Sequence, residues 1–365
     1  MRLELLGRLD RYIGGLFLAS YATALLLIVG LVLIMDLASN LSYFEVWDDG
    51  TRVPTATLVQ YYVLNVPFLF LQVAPFITVV AGLFTVARLL KKNELVAALS
   101  AGVSAHRLLA PVLLGGVLAA GTMFVLRESL TRVLGPRRDA LHDILENHRY
   151  ERVFPSLWFR DRANNVVSLG EFWPERQSIR GLDATVSERG VWTRIHATGA
   201  VYAQQPDGTW GWRLEDGVRE DVDNDAMRPR EIEWLEVIEF TPQDILTAQK
   251  GRERELELSF SEVIQLASRD PSDTRYQTLL QYHLTFPLAN VVLLLVALPF
   301  LVGRERGHGT EGLVVGCLMC VGYFCFDFIC RSLGMDGTLT PLMAAWLPPL
   351  GFGSLGAALV HTMRS

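Results

Sequence analysis

The chain has 365 residues, of which 50% are hydrophobic and 20% are charged, and its formal net charge is −6. This composition is too apolar for an ordinary soluble protein of one to three domains, and it predicts a protein that resides in a membrane. Uncharged runs near or above the roughly 20 residues of a membrane-spanning helix support this prediction. The runs are Ile13–Met35, Val53–Ala87, Leu108–Leu126, Leu284–Gly303, Gly312–Phe326 and Gly337–Val360.

These runs predict six membrane-spanning helices, three before and three after a long polar segment. The fifth run is short, and it reaches full length when Asp327 is included. The first run is too long for a cleaved signal peptide and lacks an A-x-A-like exit, so we expect it to remain as an anchor. The expected fold class is an α-helical membrane protein with a 3+3 arrangement of spans and an inserted domain.

Lys and Arg residues indicate the orientation, because short loops that are rich in them stay in the cytoplasm. Ten such residues lie at the two ends and in the second and fourth connections, whereas the other short loops hold only Arg52 and Arg331. The ten are Arg2, Arg8, Arg11, Arg88, Lys91, Lys92, Arg107, Arg304, Arg306 and Arg364. Both termini are therefore predicted to be cytoplasmic, and the polar segment from about Glu128 to Arg275 is predicted to be extracytoplasmic.

The polar segment has the alternating pattern of β-strands. In VWTRIHATGAVYA, the odd-numbered positions from Val191 to Ala203 are predicted to form one face, and the even-numbered positions, including Tyr202, the other. NVVSLGEF and EIEWLEVIEF predict further strands, the second with its apolar residues aligned. Short strands separated by turns indicate an antiparallel sandwich or an open barrel.

Two further elements are predicted in this segment. A Pro-Asp-Gly turn leads into WGWRLE, where Trp210, Trp212 and Leu214 share one face, so the two strands are expected to form a hairpin. SFSEVIQLASR predicts a helix that is capped by Ser259 or Ser261, with Glu262 nearby, and leads back to the membrane.

No catalytic motif is recognisable, since the sequence lacks the G-x-S-x-G, H-E-x-x-H and Walker A patterns. HDILENH (142–148) is interpreted as a polar helix next to the membrane, and DVDNDA (221–226) as a solvated turn, because it lacks the glycine and glutamate of a calcium loop. All four cysteines lie in or next to the fifth span, where small packing residues are a better interpretation than a metal or redox site. We therefore expect no catalytic residue, no metal and no cofactor bound by this chain.

The stretch KKNELVAALSAG, between the second and third spans, predicts a short charged helix. Leu95, Ala98 and Leu99 form an apolar stripe, Glu94 lies near the helix start, where the helix dipole favours a carboxylate, and Gly102 ends the helix. A helix that only anchors a loop to the membrane surface would carry bulkier apolar residues. This pattern therefore favours a cytoplasmic helix that docks into a groove of another protein.

The sequence resembles the LptF/LptG permeases, the membrane subunits of the lipopolysaccharide exporter, over nearly its whole length. Four stretches carry the resemblance, and the second is the most specific. They are LDRYIGGLFLASY (9–21), NELVAALSAGVSAHRLLAPV (93–112), FTPQDI (240–245) and ELSFSEVIQLASRDPSDTRYQTLLQYHLTFPLANVVLLLVALPF (257–300). The opening LDRYIG is more similar to LptG than to LptF.

The resemblance implies a domain organisation and a set of partners. Residues 1–135 would hold the first three spans with a coupling helix at about 91–102, residues 136–270 a periplasmic β-jellyroll-like domain, and residues 271–365 the last three spans. The coupling helix would insert into an LptB-like ATPase dimer, which binds the ATP. The jellyroll would pass lipopolysaccharide to an LptC-like partner. A paralogous permease subunit would complete the complex in the bacterial inner membrane, and no nucleic acid is involved.

The resemblance also implies site residues. The residues expected to couple to the ATPase are Lys92, Glu94, Ala97, Ala98 and Gly102. Lipid is expected to enter between the first and fifth spans of the two subunits, where small residues allow close, separable helix contacts. The residues expected at this lateral gate are Gly15, Ala19, Gly316 and Cys320.

Many relatives carry Lys or Arg just past the outer end of the first span, where lipid phosphates would lie, but here the region reads DLASNL (36–41). Other arginines are therefore candidates for the head-group contact, with ordinary snorkelling to the membrane interface as the alternative. The candidates are Arg127, Arg132, Arg137, Arg138 and Arg331. Asp327 and Arg331 are four residues apart and could instead pair with each other.

Two other function classes stay open at this point. A permease of the same architecture could move another amphiphile, such as a lipoprotein or a glycolipid. A membrane-anchored enzyme could act on envelope polymers, but it would need clustered acid, base or nucleophile residues, and the external segment shows none with motif-like spacing.

Overall fold

The computed structural model describes residues 7–41, 54–147, 152–161, 165–188, 191–222, 229–235, 238–253, 257–302 and 309–362. The chain forms two compact units: Met1–Leu41, Tyr62–Leu134 and Gln277–Ser365 make up the first, and Ser42–Tyr61 and Gly135–Tyr276 the second. Five of the basic residues used to predict the orientation lie outside the described residues. They are Arg2, Arg52, Arg304, Arg306 and Arg364.

The first unit is a bundle of long apolar helices. The described part of the chain contains six helices that are long and apolar enough to cross a membrane, so the predicted six spans are confirmed. The spans are Arg8–Ser39 (α1), Thr55–Lys91 (α2), Ala105–Val133 (α4), Thr274–Leu301, Val314–Met335 within Gly309–Met335 (α10), and Pro341–His361 within Pro341–Thr362 (α11). The fifth span continues through Asp327, as its length requires.

The fourth span differs from the predicted run, because it begins ten residues earlier and is interrupted. It consists of Thr274–Thr285 (α8), a 3-10 turn at Phe286–Leu288 and Ala289–Val302 (α9). Pro287 lies in the turn, and proline has no backbone N–H with which to continue an α-helix. The polar residues of α8 kept it out of the uncharged run used for the prediction.

The segment α9 lies at the centre of the bundle. Its residues Leu293, Leu294 and Ala297 are fully buried in a core shared with α1, α2, α4 and α10. Two glycines let neighbouring helices approach closely, because a Cβ atom would lie 2.4 Å from Leu294 Cδ2 at Gly82 and 2.6 Å from Leu294 Cδ1 at Gly116. Small residues at helix contacts are the usual means of close packing within a membrane.

The second unit contains an antiparallel sheet of seven strands among the described residues, which confirms the predicted antiparallel β-sheet domain between the third and fourth spans. The strand order is β1-β2-β3-β4-β6-β7, with β5 also paired to β4. The strands are Phe154–Arg160 (β1), Val166–Trp173 (β2), Ser178–Glu188 (β3), Val191–Gln204 (β4), Trp210–Glu215 (β5), Val218–Asp221 (β6) and Arg230–Glu231 (β7). The helices of the unit are Gly135–Asn147 (α5), Pro242–Glu253 (α6) and Phe260–Arg269 (α7).

The sheet bends sharply along one row of residues. The strand registers place Ser156, Gly170, Gly181, Thr198 and Asp216 opposite one another in succession. Ser156, Gly181 and Asp216 have φ angles of 52°, 69° and 51°, which L residues other than glycine rarely adopt. Glycines at such rows are a known means of bending a sheet. This row forms a corner across the sheet.

Because of this corner, the prediction of which β4 residues share one face was wrong. Strict alternation predicted that Tyr202 lies opposite the face of Ile195 and Ala197, but Tyr202 packs against the same core as these two residues, together with Ala200. The buried face also changes on β3 at this row. Ile179 before the row and Leu182 after it are both buried, although they are three residues apart and strict alternation would place them on opposite faces. The prediction was wrong because a two-residue period holds only for a strand without a corner.

The hairpin and the capped helix are present as predicted. Trp212 and Leu214 of β5 are buried, Trp212 Nε1 donates to the Phe240 carbonyl at 2.9 Å, and the exposed Trp210 stacks on Tyr202. The cap of α7 is Ser259: its hydroxyl accepts from the Glu262 N–H, and its own N–H donates to Glu262 Oε2 at 2.7 Å. This is a capping box.

The last predicted strand, EIEWLEVIEF, is paired over its first half. Glu231 ends β7, and the following residues pair with β5: the Leu214 N–H donates to the Glu233 carbonyl at 2.7 Å, and the Leu235 N–H donates to the Trp212 carbonyl at 3.0 Å. The aligned apolar residues Ile238 and Phe240 are buried in the core of the sheet. The pattern thus predicted the burial and the pairing of this first half, although regular strand geometry among the described residues is limited to β7 and a bridge from Trp234 to Arg213.

Candidate functional site

The helix between the second and third spans, α3 (Glu94–Ser100), is shorter than the predicted 91–102. Left-handed residues flank it, with φ 56° at Asn93 and φ 82° at Gly102. The Gly102 N–H donates to the Leu99 carbonyl at 3.0 Å, and the Val103 N–H donates to the Ala98 carbonyl at 3.1 Å. This turn closes the helix end in the conformation that glycine tolerates best.

One face of α3 packs inside the bundle and the other is exposed. Leu95 is 2% exposed, and Ala98 and Leu99 pack against the same core, so the apolar stripe is covered by this chain itself. Lys92 and Ala97 are exposed, as is Gly102. Of the five residues expected to couple to an ATPase, these three are on the accessible face, and Glu94 and Ala98 are half-buried.

Glu94 is held by a residue that the sequence analysis missed. The Tyr12 hydroxyl of α1 donates to Glu94 Oε2 at 2.8 Å, and Lys92 Nζ lies 3.8 Å from Glu94 Oε1. Tyr12 and Glu94 are 82 residues apart, so no local pattern could connect them. The only available signal was that Tyr12 belongs to LDRYIG and Glu94 to NELVAALSAG, two of the four stretches that carry the resemblance.

At the end of the bundle away from α3, one of the predicted head-group arginines, Arg331, stacks on a tyrosine. The Arg331 guanidinium lies 4.9 Å from the centre of the Tyr282 ring and 5.7 Å from that of Phe328. Arg127 and the buried Asp327 both interact electrostatically with Tyr282. Stacking uses the flat face of a guanidinium group and leaves its N–H groups at the edge, where they can bind an anion.

Arg132 pairs with a residue of its own helix. Its side chain is 64% exposed, and its Nε lies 2.9 Å from Glu128 Oε1, one turn earlier on α4. An exposed i,i+4 ion pair of this kind contributes little to stability and is easily exchanged for another partner. Arg132 therefore serves as a natural comparison for Arg331.

The remaining two candidates, Arg137 and Arg138, belong to the second unit. Arg138 is 2% exposed and forms ion pairs with Asp139 and Glu257. Burial alone would lower the pKa of Arg138, but attraction and hydrogen bonds from the two carboxylates outweigh it and raise the pKa. Its charge is thus already neutralised, which argues against a lipid contact. Arg137 Nε donates to the Gln60 amide oxygen at 2.9 Å in the amide orientation that hydrogen bonding favours.

The four residues expected at a lateral gate are divided between two environments. Gly15 and Ala19 are on the exposed side of α1, and a Cβ atom at Gly15 would meet nothing within 4 Å. Gly316 and Cys320 are buried, and a Cβ atom at Gly316 would lie 3.2 Å from Leu83 and 3.5 Å from Ala297. Gly316 and Cys320 therefore face this chain's own bundle, and only Gly15 and Ala19 are accessible to a partner.

The described residues contain no group of three or more His, Cys, Asp or Glu side chains that could hold a metal ion. Parts of the two polar clusters considered in the sequence, His148 and residues 223–226, lie outside the described residues. Within the described ranges, the exposed face of α3 and the cluster of Arg331, Tyr282 and Phe328 have a geometry suited to binding.

The chain matches the profile of a known protein family. The profile of the family described as "Lipopolysaccharide export system permease LptF/LptG" matches residues 11–362, which is essentially the whole chain. No curated protein matches the chain.

Proposed function

Because this chain belongs to the LptF/LptG family of lipopolysaccharide export permeases, we propose that it is one membrane subunit of a complex that extracts lipopolysaccharide from the inner membrane. In this proposal a separate ATPase supplies the energy, a paralogous permease subunit completes the membrane part, and the sheet domain hands the lipid to a periplasmic partner. The absence of a Walker A pattern from the sequence supports the assignment of ATP binding and hydrolysis to a partner.

The observation that carries the proposal is the placement of α3. It is a short helix between two membrane spans, and its apolar stripe is covered by its own bundle while Lys92, Val96 and Ala97 stay exposed. Glu94, at the first turn, lies where the helix dipole favours an acidic residue. Such a helix offers a partner both a small-residue surface and a charge. ATP binding would draw the ATPase subunits together and move α3 with them.

The membrane bundle has the two kinds of surface that an acylated, phosphorylated lipid requires. Acyl chains need apolar surface, and the exposed side of α1 offers Leu18, Leu26 and Leu31, each at least 60% exposed. Phosphate groups need hydrogen-bond donors with positive charge, which Arg331 and Arg127 would supply at the end of the bundle away from α3. The exposed Gly15 and Ala19 give α1 a surface for a separable contact with the paralogous subunit.

The proposal is tested by purifying the tagged full chain from its native membranes and identifying the proteins and lipids that accompany it by mass spectrometry. We expect an ATPase, a second permease subunit and lipopolysaccharide. Recovery of the ATPase with a lipoprotein or another glycolipid would assign a different amphiphile. Recovery of the chain without any ATPase would overturn the proposal.

The role of α3 is tested with Glu94→Lys in the same purification. If Glu94 meets a basic or polar groove, reversing its charge leaves a buried partner unpaired, at a cost of about 2–5 kcal/mol. We expect loss of ATPase from the complex at normal membrane levels of the chain. The matched control is Glu128→Lys, a charge reversal on α4 at the other end of the bundle. Normal ATPase retention by Glu94→Lys would contradict the assignment of α3.

A further inference from the structure

The contact between Tyr12 and Glu94 joins two elements that are distant in the chain. Tyr12 lies in the second turn of α1, and its hydroxyl donates to Glu94 Oε2 at 2.8 Å. The residues that follow each of them, Ile13 and Leu95, are 1% and 2% exposed and belong to the same apolar core. The hydrogen bond thus joins the start of α1 to the start of α3, next to residues that both enter this core.

The hydrogen bond from Tyr12 to Glu94 matters because the loops next to α3 connect it to α2 and α4 and not to α1. The chain itself joins α3 to α2 through Asn93 and to α4 through Gly102, so a displacement of α3 reaches both of those helices through covalent bonds. No covalent connection joins α3 to α1. Apolar contacts lack direction and allow sliding, whereas a hydrogen bond is lost when its geometry changes by a fraction of its length.

The Glu94 carboxylate can serve α1 and a partner at the same time. Tyr12 occupies Oε2, whereas Oε1 faces Lys92 at 3.8 Å, beyond hydrogen-bond distance. A carboxylate has about four acceptor positions on its two oxygens. Docking of a partner on Oε1 therefore does not require release of Tyr12.

We propose that Tyr12 is a positioning residue that transmits the movement of α3 to α1. It acts through Glu94: Tyr12 binds one carboxylate oxygen while the other stays available to the partner, and this bond makes α1 follow α3 when the partner moves. One to two turns beyond Tyr12, α1 exposes Gly15 and Ala19, so a displacement of α1 alters the surface that a second subunit would contact. This inference rests on the proposed function, because it requires an ATPase that docks on α3.

The first test uses Tyr12→Phe in the purified complex, with the matched control Tyr21→Phe. Tyr21 is on the same helix, but its hydroxyl interacts with Thr78 of α2 instead of α3. A hydrogen bond to a charged group is worth about a tenfold change in an equilibrium. For Tyr12→Phe we expect normal retention of the ATPase, ATP hydrolysis within about twofold, and about tenfold less lipopolysaccharide released per ATP hydrolysed. We expect no such change for Tyr21→Phe.

The second test measures the linkage directly. In the complex, with the four cysteines replaced by serine, spin labels are attached at Leu27→Cys on α1 and Ser100→Cys on α3, which are exposed positions without an assigned role in binding. With Tyr12 present we expect one narrow distance distribution both without nucleotide and with an ATP analogue. With Tyr12→Phe we expect the distribution to broaden or shift when the analogue binds.

The outcomes separate this inference from the function on which it rests. Unchanged release per ATP and an unchanged distance in Tyr12→Phe would overturn the inference and leave the proposed function intact. Loss of the ATPase from Tyr12→Phe would overturn it as well, because Tyr12 would then build the docking surface instead of transmitting movement. Absence of the ATPase from the unmodified complex would refute the proposed function itself.

Discussion

Thr78 and Asn290, on the second and fourth spans, share a buried hydrogen bond in which Thr78 Oγ1 donates to Asn290 Oδ1 at 2.6 Å. The Asn290 amide nitrogen donates in turn to the Pro287 carbonyl at 2.9 Å, next to the break in the fourth span. Both side chains are fully buried. A single amide therefore satisfies a carbonyl at the break and links this segment to α2, which explains how the interruption is tolerated within an apolar bundle.

We predict that Asn290→Leu lowers the thermal stability of the detergent-solubilised chain. The substitution removes the side-chain donor to the Pro287 carbonyl, and the expected loss is about 1–2 kcal/mol. Thr78 keeps its bond to the Ala74 carbonyl, at 2.9 Å, which limits the loss. The measurement is the melting temperature from the helical circular dichroism signal.

The double substitution Thr78→Val with Asn290→Leu is the control for this prediction. Thr78→Val leaves the Asn290 amide oxygen without its donor, a cost that disappears when residue 290 is leucine. The double variant should therefore be less destabilised than the sum of the two single variants, by about 0.5–1 kcal/mol. Strictly additive losses would mean that the two side chains do not interact.

A second prediction concerns Arg138 in the sheet domain. Arg138→Leu leaves Asp139 and Glu257 without the buried charge that neutralises them, and removal of one partner from a buried ion pair typically costs about 3–5 kcal/mol. Lys250, 3.5 Å from Asp139, offsets part of this loss. We expect faster proteolysis of the second unit and a lower amount of the chain in membranes. Adding Glu257→Gln should restore part of the stability, whereas Arg137→Leu should have little effect.

The sequence predicted those features that depend on local physical properties. The six spans follow from hydropathy over about 20 residues, and the Ser259 cap follows from a pattern of four residues. The sheet corner could not be predicted, because it requires Ser156, Gly181 and Asp216 to lie in one row, and the row exists only after the strands have paired.

The candidate site likewise has features that the local sequence predicted and features that only the tertiary structure reveals. The position of α3 and its termination at Gly102 follow from the local pattern, but the bond from Tyr12 to Glu94 does not. Positive charge made Arg138 and Arg331 equal candidates in the sequence. Tertiary structure distinguishes them, since Arg138 forms ion pairs with two carboxylates, whereas Arg331 stacks on an aromatic ring.

The third prediction concerns the sheet corner, where substitutions at two positions should change the stability of the sheet in opposite directions. Ser156→Gly should stabilise the sheet by up to about 1 kcal/mol, because glycine adopts the φ of 52° without the steric cost that serine pays. Gly181→Ala should destabilise it by about 1 kcal/mol or more, although its Cβ would meet only ordinary contacts at 3.8 Å. Hydrogen exchange of β1 to β4 in the full chain measures both effects. If both substitutions changed the stability in the same direction, the backbone conformation at these positions could not be the cause of the changes.

A fourth prediction distinguishes Arg331 from Arg132 in lipid binding. Arg331→Gln should weaken retention of lipopolysaccharide by about tenfold or more, since a charge-assisted contact contributes about 1.5–3 kcal/mol. Arg331→Lys keeps the charge but loses the stacked, forked geometry, so an intermediate loss is expected. Arg132→Gln, at an exposed position paired with Glu128, is the control and should retain lipid normally. Equal losses at both positions, measured by native mass spectrometry, would indicate an unspecific charge effect.

The fifth prediction concerns the orientation of the chain, which follows from the unequal distribution of Lys and Arg between the loops. Pro206, in the exposed turn before β5, should lie outside the cytoplasm, and Val96 of α3 should lie inside. In a chain without native cysteines, a membrane-impermeant maleimide should therefore label Pro206→Cys in intact cells, and should label Val96→Cys only after the membrane is permeabilised. Pro206 makes no side-chain hydrogen bond, so its replacement leaves the turn bonds between Asp207 and Thr209 in place. Labelling of Val96→Cys but not of Pro206→Cys in intact cells would reverse the orientation, and α3 could then no longer meet a cytoplasmic ATPase.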